Sequence, residues 1–201
     1  MAMLDLATIL FSKLLFCTWM LRAETRDIPQ VGPHFPVFTF EKNENPQNIM
    51  VIYVRLDADG KLKQDPSYPG RPFVGFYWMM NREKYKPVHP LIQSGIRGRM
   101  HFVSQSDDRR SFRLRLDDLK GLKQDLSSTE IGVQIDGHDN PRVEATVTLG
   151  PSDDSLTVKI DKILSHTHKT FLPPFRKVDS VTIVGKTVAG GDLVSRTYSS
   201  H

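Results

Sequence analysis

The chain has 201 residues, 27 Lys and Arg against 23 Asp and Glu, a net charge of +4 and a single cysteine, Cys17. That length suits one domain with a substantial core, and so mild a positive balance argues against a dedicated nucleic-acid binder. One cysteine excludes intrachain disulfides and cysteine-built metal sites.

Residues 1–23 differ from the rest. Lys13 precedes the apolar run Leu14-Leu15-Phe16-Cys17-Thr18-Trp19-Met20-Leu21, and Arg22-Ala23 follow. This reads as a signal peptide, with a basic region, a short apolar stretch and a small residue before a cut. The expectation is export to the periplasm or the extracellular space, with no membrane span after processing. The apolar run is far below the roughly 20 residues a spanning helix needs. An uncleaved anchor or an amphipathic helix is the competing reading. Removing Lys13, Arg22 and Asp5 leaves 25 basic and 22 acidic groups, and no cysteine for thiol chemistry.

From about residue 36 onward, short alternating segments are separated by Gly, Pro, Asn and Asp. That spacing predicts strands over 37–42, 49–56, 73–80, 96–105, 110–116, 130–136, 143–149, 156–164 and 179–184. The fold class expected is all-β, an antiparallel sandwich or closed barrel of about nine strands with little helix. One helix is expected over 117–126. A single β domain spans 24–188, and the polar, Gly-containing stretch 189–201 reads as a flexible tail.

Two of these strands have no face written for water. Side chains alternate along a strand, so Phe73, Tyr77 and Met79 oppose Val74, Phe76, Trp78 and Met80. The segment 49–56 is two-sided in the same way, which predicts that the two strands sit centrally. A two-sided strand must be covered, line a cavity or meet a partner. Tyr53, Phe73, Phe76, Tyr77 and Trp78 therefore form a candidate ligand pocket, in a lipocalin-like barrel that carries a small apolar molecule. The plainer reading is that they are core. The strands 143–149 and 156–164 alternate cleanly and have one wet face.

The run Phe38-Thr39-Phe40-Glu41-Lys42-Asn43-Glu44-Asn45, followed by Val51-Ile52-Tyr53-Val54 and Phe76-Tyr77-Trp78-Met79, resembles a secreted bacterial family known as domain of unknown function 4833. The resemblance covers roughly residues 36–185 and rests on aromatic strand patterns with an Asn-containing turn. It implies an exported single-domain β protein of unassigned activity, and it carries over no catalytic residue.

The strongest chemical candidate is the predicted hairpin 96–116. Arg97, Arg99 and His101 share one strand face, and Arg113 and Arg115 share a face of the next strand. A three-residue loop at Ser106-Asp107-Asp108 would set His101 opposite Arg113, Arg99 opposite Arg115, and Phe102 opposite Phe112. Like charges facing each other are destabilising, so an anionic partner would relieve them. An envelope polymer, a lipid headgroup or an acidic protein segment fits guanidinium geometry. The alternative is that these arginines splay into water beside nearby aspartates. His166 and His168, two apart on a strand, could chelate a metal, but no third ligand is evident. The stretches 136–140 and 57–60 read as turns. No Gly-x-Ser-x-Gly elbow occurs and no carboxylate pair stands out, so a hydrolase or metal enzyme using the histidines ranks below a noncatalytic module, and no cofactor is implied.

Overall fold

The computed structural model describes residues 28, 30–43, 49–80, 84–97, 100–116, 129–150, 155–169 and 176–199. In chain order the elements are β1 (His34–Lys42), β2 (Ile49–Arg55), β3 (Gln64–Asp65), β4 (Tyr68–Pro72), β5 (Val74–Met80), β6 (Lys84–Pro87), α1 (Pro90–Arg97), β7 (Met100–Gln105), β8 (Ser111–Leu116), β9 (Ile131–Asp136), β10 (Arg142–Leu149), β11 (Leu156–Lys169), β12 (Arg176–Thr187) and β13 (Leu193–Ser199). The fold is all-β. Eleven strands form one curled half-barrel sheet, and β3 and β4 form a separate hairpin. Among the described residues no helix is long and apolar enough to cross a membrane.

The sheet runs β6-β5-β2-β1-β11-β10-β9-β8-β7, with β12 and β13 branching from β11. The branch exists because β11 is long enough to serve two neighbours along one edge. Its first part pairs antiparallel with β10, Val147 opposite Val158, and its second part pairs parallel with β1, Phe40 opposite Ile163. The changeover falls at a bulge where Asp161 is skipped in the ladder with β12. A bulge bends its strand and increases local twist, which is what a curling sheet needs. Gly185 lies opposite Ile160 at this bend, and a Cβ there would sit 2.0 Å from the backbone oxygen of Lys159, so only glycine fits.

Asn43 ends β1 in the left-handed region at φ 52°. Its amide donates to Ser165 O at 2.8 Å and its side-chain oxygen accepts from Thr167 N at 2.7 Å, which clasps β1 to β11. Asparagine tolerates this conformation because its short polar side chain bonds locally.

One face of the sheet carries the main core. Phe38, Ile52, Val54, Phe76, Phe112, Leu114, Ile131, Val147, Val158, Ile163 and Ile183 are all buried in it. The two-sided strands pair with each other, Met50 with Trp78, Val51 with Tyr77 and Ile52 with Phe76, but near one end of the sheet rather than at its centre. Their second face builds a smaller cluster of Val51, Tyr53 and Tyr77, with Phe73, Met79, Tyr85, Ile28 and Val31 packed against it.

The structure also differs from the sequence reading. The sheet is mixed through its β1–β11 pair, and thirteen strands are described where about nine were expected. Residues 193–199, read as tail, form β13, since Val181 lies opposite Tyr198 and buries it. The expected helix 117–126 lies outside the described residues.

Candidate functional site

Arg97 was expected on a strand beside Arg99 and His101, but it ends α1. Pro90 opens that helix, where its fixed φ suits the first turn and its missing N–H costs nothing. Ahead of it His89 caps the turn, its carbonyl accepting from Gln93 N at 3.0 Å and its Nδ1 from Leu91 N at 3.3 Å. An apolar residue at 96 before alternating Met100 and Phe102 looked like strand continuation, and the cap was the overlooked signal. Arg99 lies outside the described residues.

The β7–β8 hairpin also differs in register. Ser106 N donates to Ser111 O, and Arg109 sits at φ 57°, so residues 106–110 form the loop. Ser106 Oγ and Asp108 Oδ1 both accept from Arg110 N, at 3.2 and 3.0 Å, and this side-chain capping makes the longer loop stable. With a further irregularity between Phe102 and Ser104, His101 lies opposite Arg115 and Phe102 opposite Leu114. Over residues 100–102 the shift is two, so the faces survive there, with Arg115 still sharing a face with His101, away from Phe102 and Leu114; past the irregularity it is three, which sets Phe112 opposite Gln105. Arg113 and Arg115 both reach Glu130, at 3.6 and 3.9 Å, so a carboxylate compensates them.

The inner wall of the same hairpin lines a cleft of about 240 Å³. Phe102, Phe112, Leu114 and Met100 give it an apolar side, and Val74 and Pro72 continue that surface. Phe102 and Phe112 stack with centroids 6.0 Å apart and planes 20° apart. Across from them stands the β3–β4 hairpin with Asp65, Tyr68 and Arg71, while Arg97 closes one end and His101 stands at the exposed rim.

The charges in this cleft are unequal in their freedom. Arg97 is held from three directions. It pairs with Asp65 at 3.5 Å, donates from Nε to Val74 O at 2.9 Å, and lies 5.0 Å from the centre of the Phe73 ring. Asp65, buried to 5% exposure, also accepts from Ser67 N at 2.9 Å, so its charge is used up in the hairpin turn and the ion pair. Arg71 is different. The β3–β4 ladder steps from Gln64 opposite Pro72 to Asp65 opposite Tyr68, so residues 69–71 bulge, and Gly70 at φ 81° allows it. Arg71 then lies over Tyr68 at 5.6 Å and over Phe102 at 6.0 Å, near the limit for cation–π attraction. No carboxylate among the described residues pairs with it. Sequence reasoning passed over Arg71 because its neighbours Pro69, Gly70 and Pro72 read only as a link.

The residues expected to form an apolar ligand pocket are divided by the sheet. Phe76 and Trp78 pack into the main core, whereas Tyr53, Phe73 and Tyr77 belong to the opposite face. There His34 stacks on Tyr53 at 4.0 Å, Tyr77 meets Tyr85 edge-on at 5.0 Å, and Arg55 lies 4.7 Å from the Phe73 centroid. Arg55 Nη2 contacts His34 Nε2 at 2.9 Å, and because a guanidinium only donates, Nε2 is the bare acceptor nitrogen. Burial and the Arg55 charge both push the His34 pKa below its ordinary 6.5. Burial pushes the Tyr77 phenol well up, assisted by the phenols of Tyr85 and Tyr53, and its hydroxyl has no protein partner.

His166 lies on β11 opposite Ser180, and the side chain of His168 falls outside the description. Among the described residues no three His, Cys, Asp or Glu side chains converge as metal ligands would.

No protein-family model, curated protein or solved structure matches this chain.

Proposed function

We propose that this protein is an exported, noncatalytic β module that holds an anionic component of the cell envelope in the cleft between the β3–β4 hairpin, α1 and the β7–β8 hairpin. The observation that carries the reading is Arg71, a guanidinium aimed over Tyr68 and Phe102 with no carboxylate pairing it among the described residues. A guanidinium presents five donors in a planar fork that fits carboxylate and phosphate oxygens, and a weakly hydrated cation over aromatic faces is ready to exchange water for an anion. Arg97, at one end of the cleft, is neutralised by Asp65, and His101 at the rim adds a ring nitrogen. The noncatalytic part of the reading is supported by Asp65, the carboxylate among the described residues that line the cleft, which is tied to Arg97 and to Ser67 N. The export part rests on residues 1–23.

Titration calorimetry of the purified protein with phosphate- and carboxylate-bearing envelope fractions, at low and high salt, tests the proposal. Affinity is expected to weaken with salt, and Arg71→Gln is expected to lower it about tenfold or more, since a charge-assisted hydrogen bond contributes about 1.5–3 kcal/mol. Binding that ignores both salt and Arg71→Gln overturns the reading. Amino-terminal sequencing of the mature protein is expected to begin near Glu24.

A further inference from the structure

Resting on the cleft as an anion site, we infer that its ligand is a small amphiphilic carboxylate: one carboxylate head on an apolar body, about ten non-hydrogen atoms in all. Three features of the cleft lead there. The first is its charge. Arg97 is matched by Asp65, and Arg71 is the guanidinium left over, so a single negative charge completes the site and a polyanion would meet the buried carboxylate of Asp65. A planar carboxylate fits the guanidinium fork of Arg71 with two parallel bonds.

The second feature is the wall. Directly beyond Arg71 the surface becomes hydrocarbon, formed by Phe102, Phe112, Leu114 and Met100 on one side and Val74 on another. The Phe102 ring, stacked on the buried Phe112, presents an apolar face next to the cation. Inorganic phosphate or a sugar polymer would leave that surface unused, whereas an alkyl or aryl body covers it. The third feature is size. The space of about 240 Å³ is larger than the roughly 150 Å³ that accommodates benzene in an apolar cavity, which scales to about ten non-hydrogen atoms.

The test is a ladder of straight-chain carboxylates from acetate upward, with the matching alcohols and with inorganic phosphate and polyphosphate as controls, titrated into the full chain. Affinity is expected to tighten about fourfold for each added methylene until the body fills the cleft, and then to level off. Each alcohol is expected to bind about tenfold or more weakly than its carboxylate, and Arg71→Gln to erase that difference. Phe102→Ala is expected to flatten the chain-length dependence while the carboxylate–alcohol difference persists. Phe102→Leu, which keeps much of the apolar volume, is expected to retain the dependence and guards against loss of folding. Arg71-dependent binding of phosphate or polyphosphate, with no rise along the carboxylate ladder, overturns this inference and leaves the anion reading standing. Alcohols that bind as tightly as carboxylates, or an absence of binding by any probe, overturn both.

Discussion

Gly75→Ala is the sharpest probe of the two-sided strand. Gly75 sits on β5 directly opposite Tyr53 on β2. A Cβ at this position would lie 2.3 Å from Tyr53 Cζ, 2.5 Å from its hydroxyl oxygen and 2.7 Å from Cε1, so the ring now occupies the space a side chain would take. Restoring ordinary contact requires the ring to move by about 1 Å. Its exits are blocked, because His34 stacks on it at 4.0 Å and Tyr77 and Phe73 stand at 5.5 and 6.1 Å. Overpacking of this kind costs about 1–3 kcal/mol, and a lost aromatic pair adds about 0.5–1.5 kcal/mol. Alanine returns about 0.5–1 kcal/mol of strand propensity. The net expectation is a destabilisation of about 2 kcal/mol, read as a shift in urea midpoint at constant slope. Near-ultraviolet circular dichroism of the tyrosines should change with it. A double-mutant cycle makes the cause specific: in a Tyr53→Leu background, where the ring is gone, Gly75→Ala should cost nothing or stabilise. If Gly75→Ala alone stays within about 0.5 kcal/mol of the parent with an unchanged tyrosine spectrum, the packing of Tyr53 over Gly75 is refuted.

Two other outcomes follow from the same face. Tyr77→Phe removes a buried hydroxyl that has no protein partner while leaving the ring in place, so thermal denaturation should show equal or slightly higher stability, by up to about 1 kcal/mol; a clear loss would mean that the hydroxyl is bonded after all. For His34, burial and Arg55 lower the folded-state pKa, so the unfolded chain takes up the proton more readily. Its contribution to stability is complete above the ordinary value of 6.5 and is lost as pH falls from there through the folded-state value. Denaturation midpoints should therefore drop on acidification through this window, and less so in His34→Gln; equal slopes for parent and variant would remove the His34 contribution.

Where period two is strict and one face is apolar, the sequence determined the structure almost alone. Val143, Ala145 and Val147 lie on β10 as their alternation demands, and the two-sided runs 49–56 and 73–80 lie inside the sheet as β2 and β5, with an apolar cluster on each face. The all-β class follows from the same local rule. Local rules carry no information on which strand lies beside which, and there the tertiary structure decided. β11 exchanges β10 for β1 at the Asp161 bulge, and β13 is ordered by burying Tyr198 against β12, through contacts far apart in the chain. The site divides in the same way. The alternation put His101 and Arg115 on one face and Phe102 and Leu114 on the other, and the structure kept those faces even with a longer loop. That Arg97 leaves the strand for a helix end to meet Asp65, and that Arg71 bulges over Phe102 from a segment read as a link, depends on three chain segments converging. A strand's period specifies which way a side chain points, whereas a cleft needs to know what stands opposite.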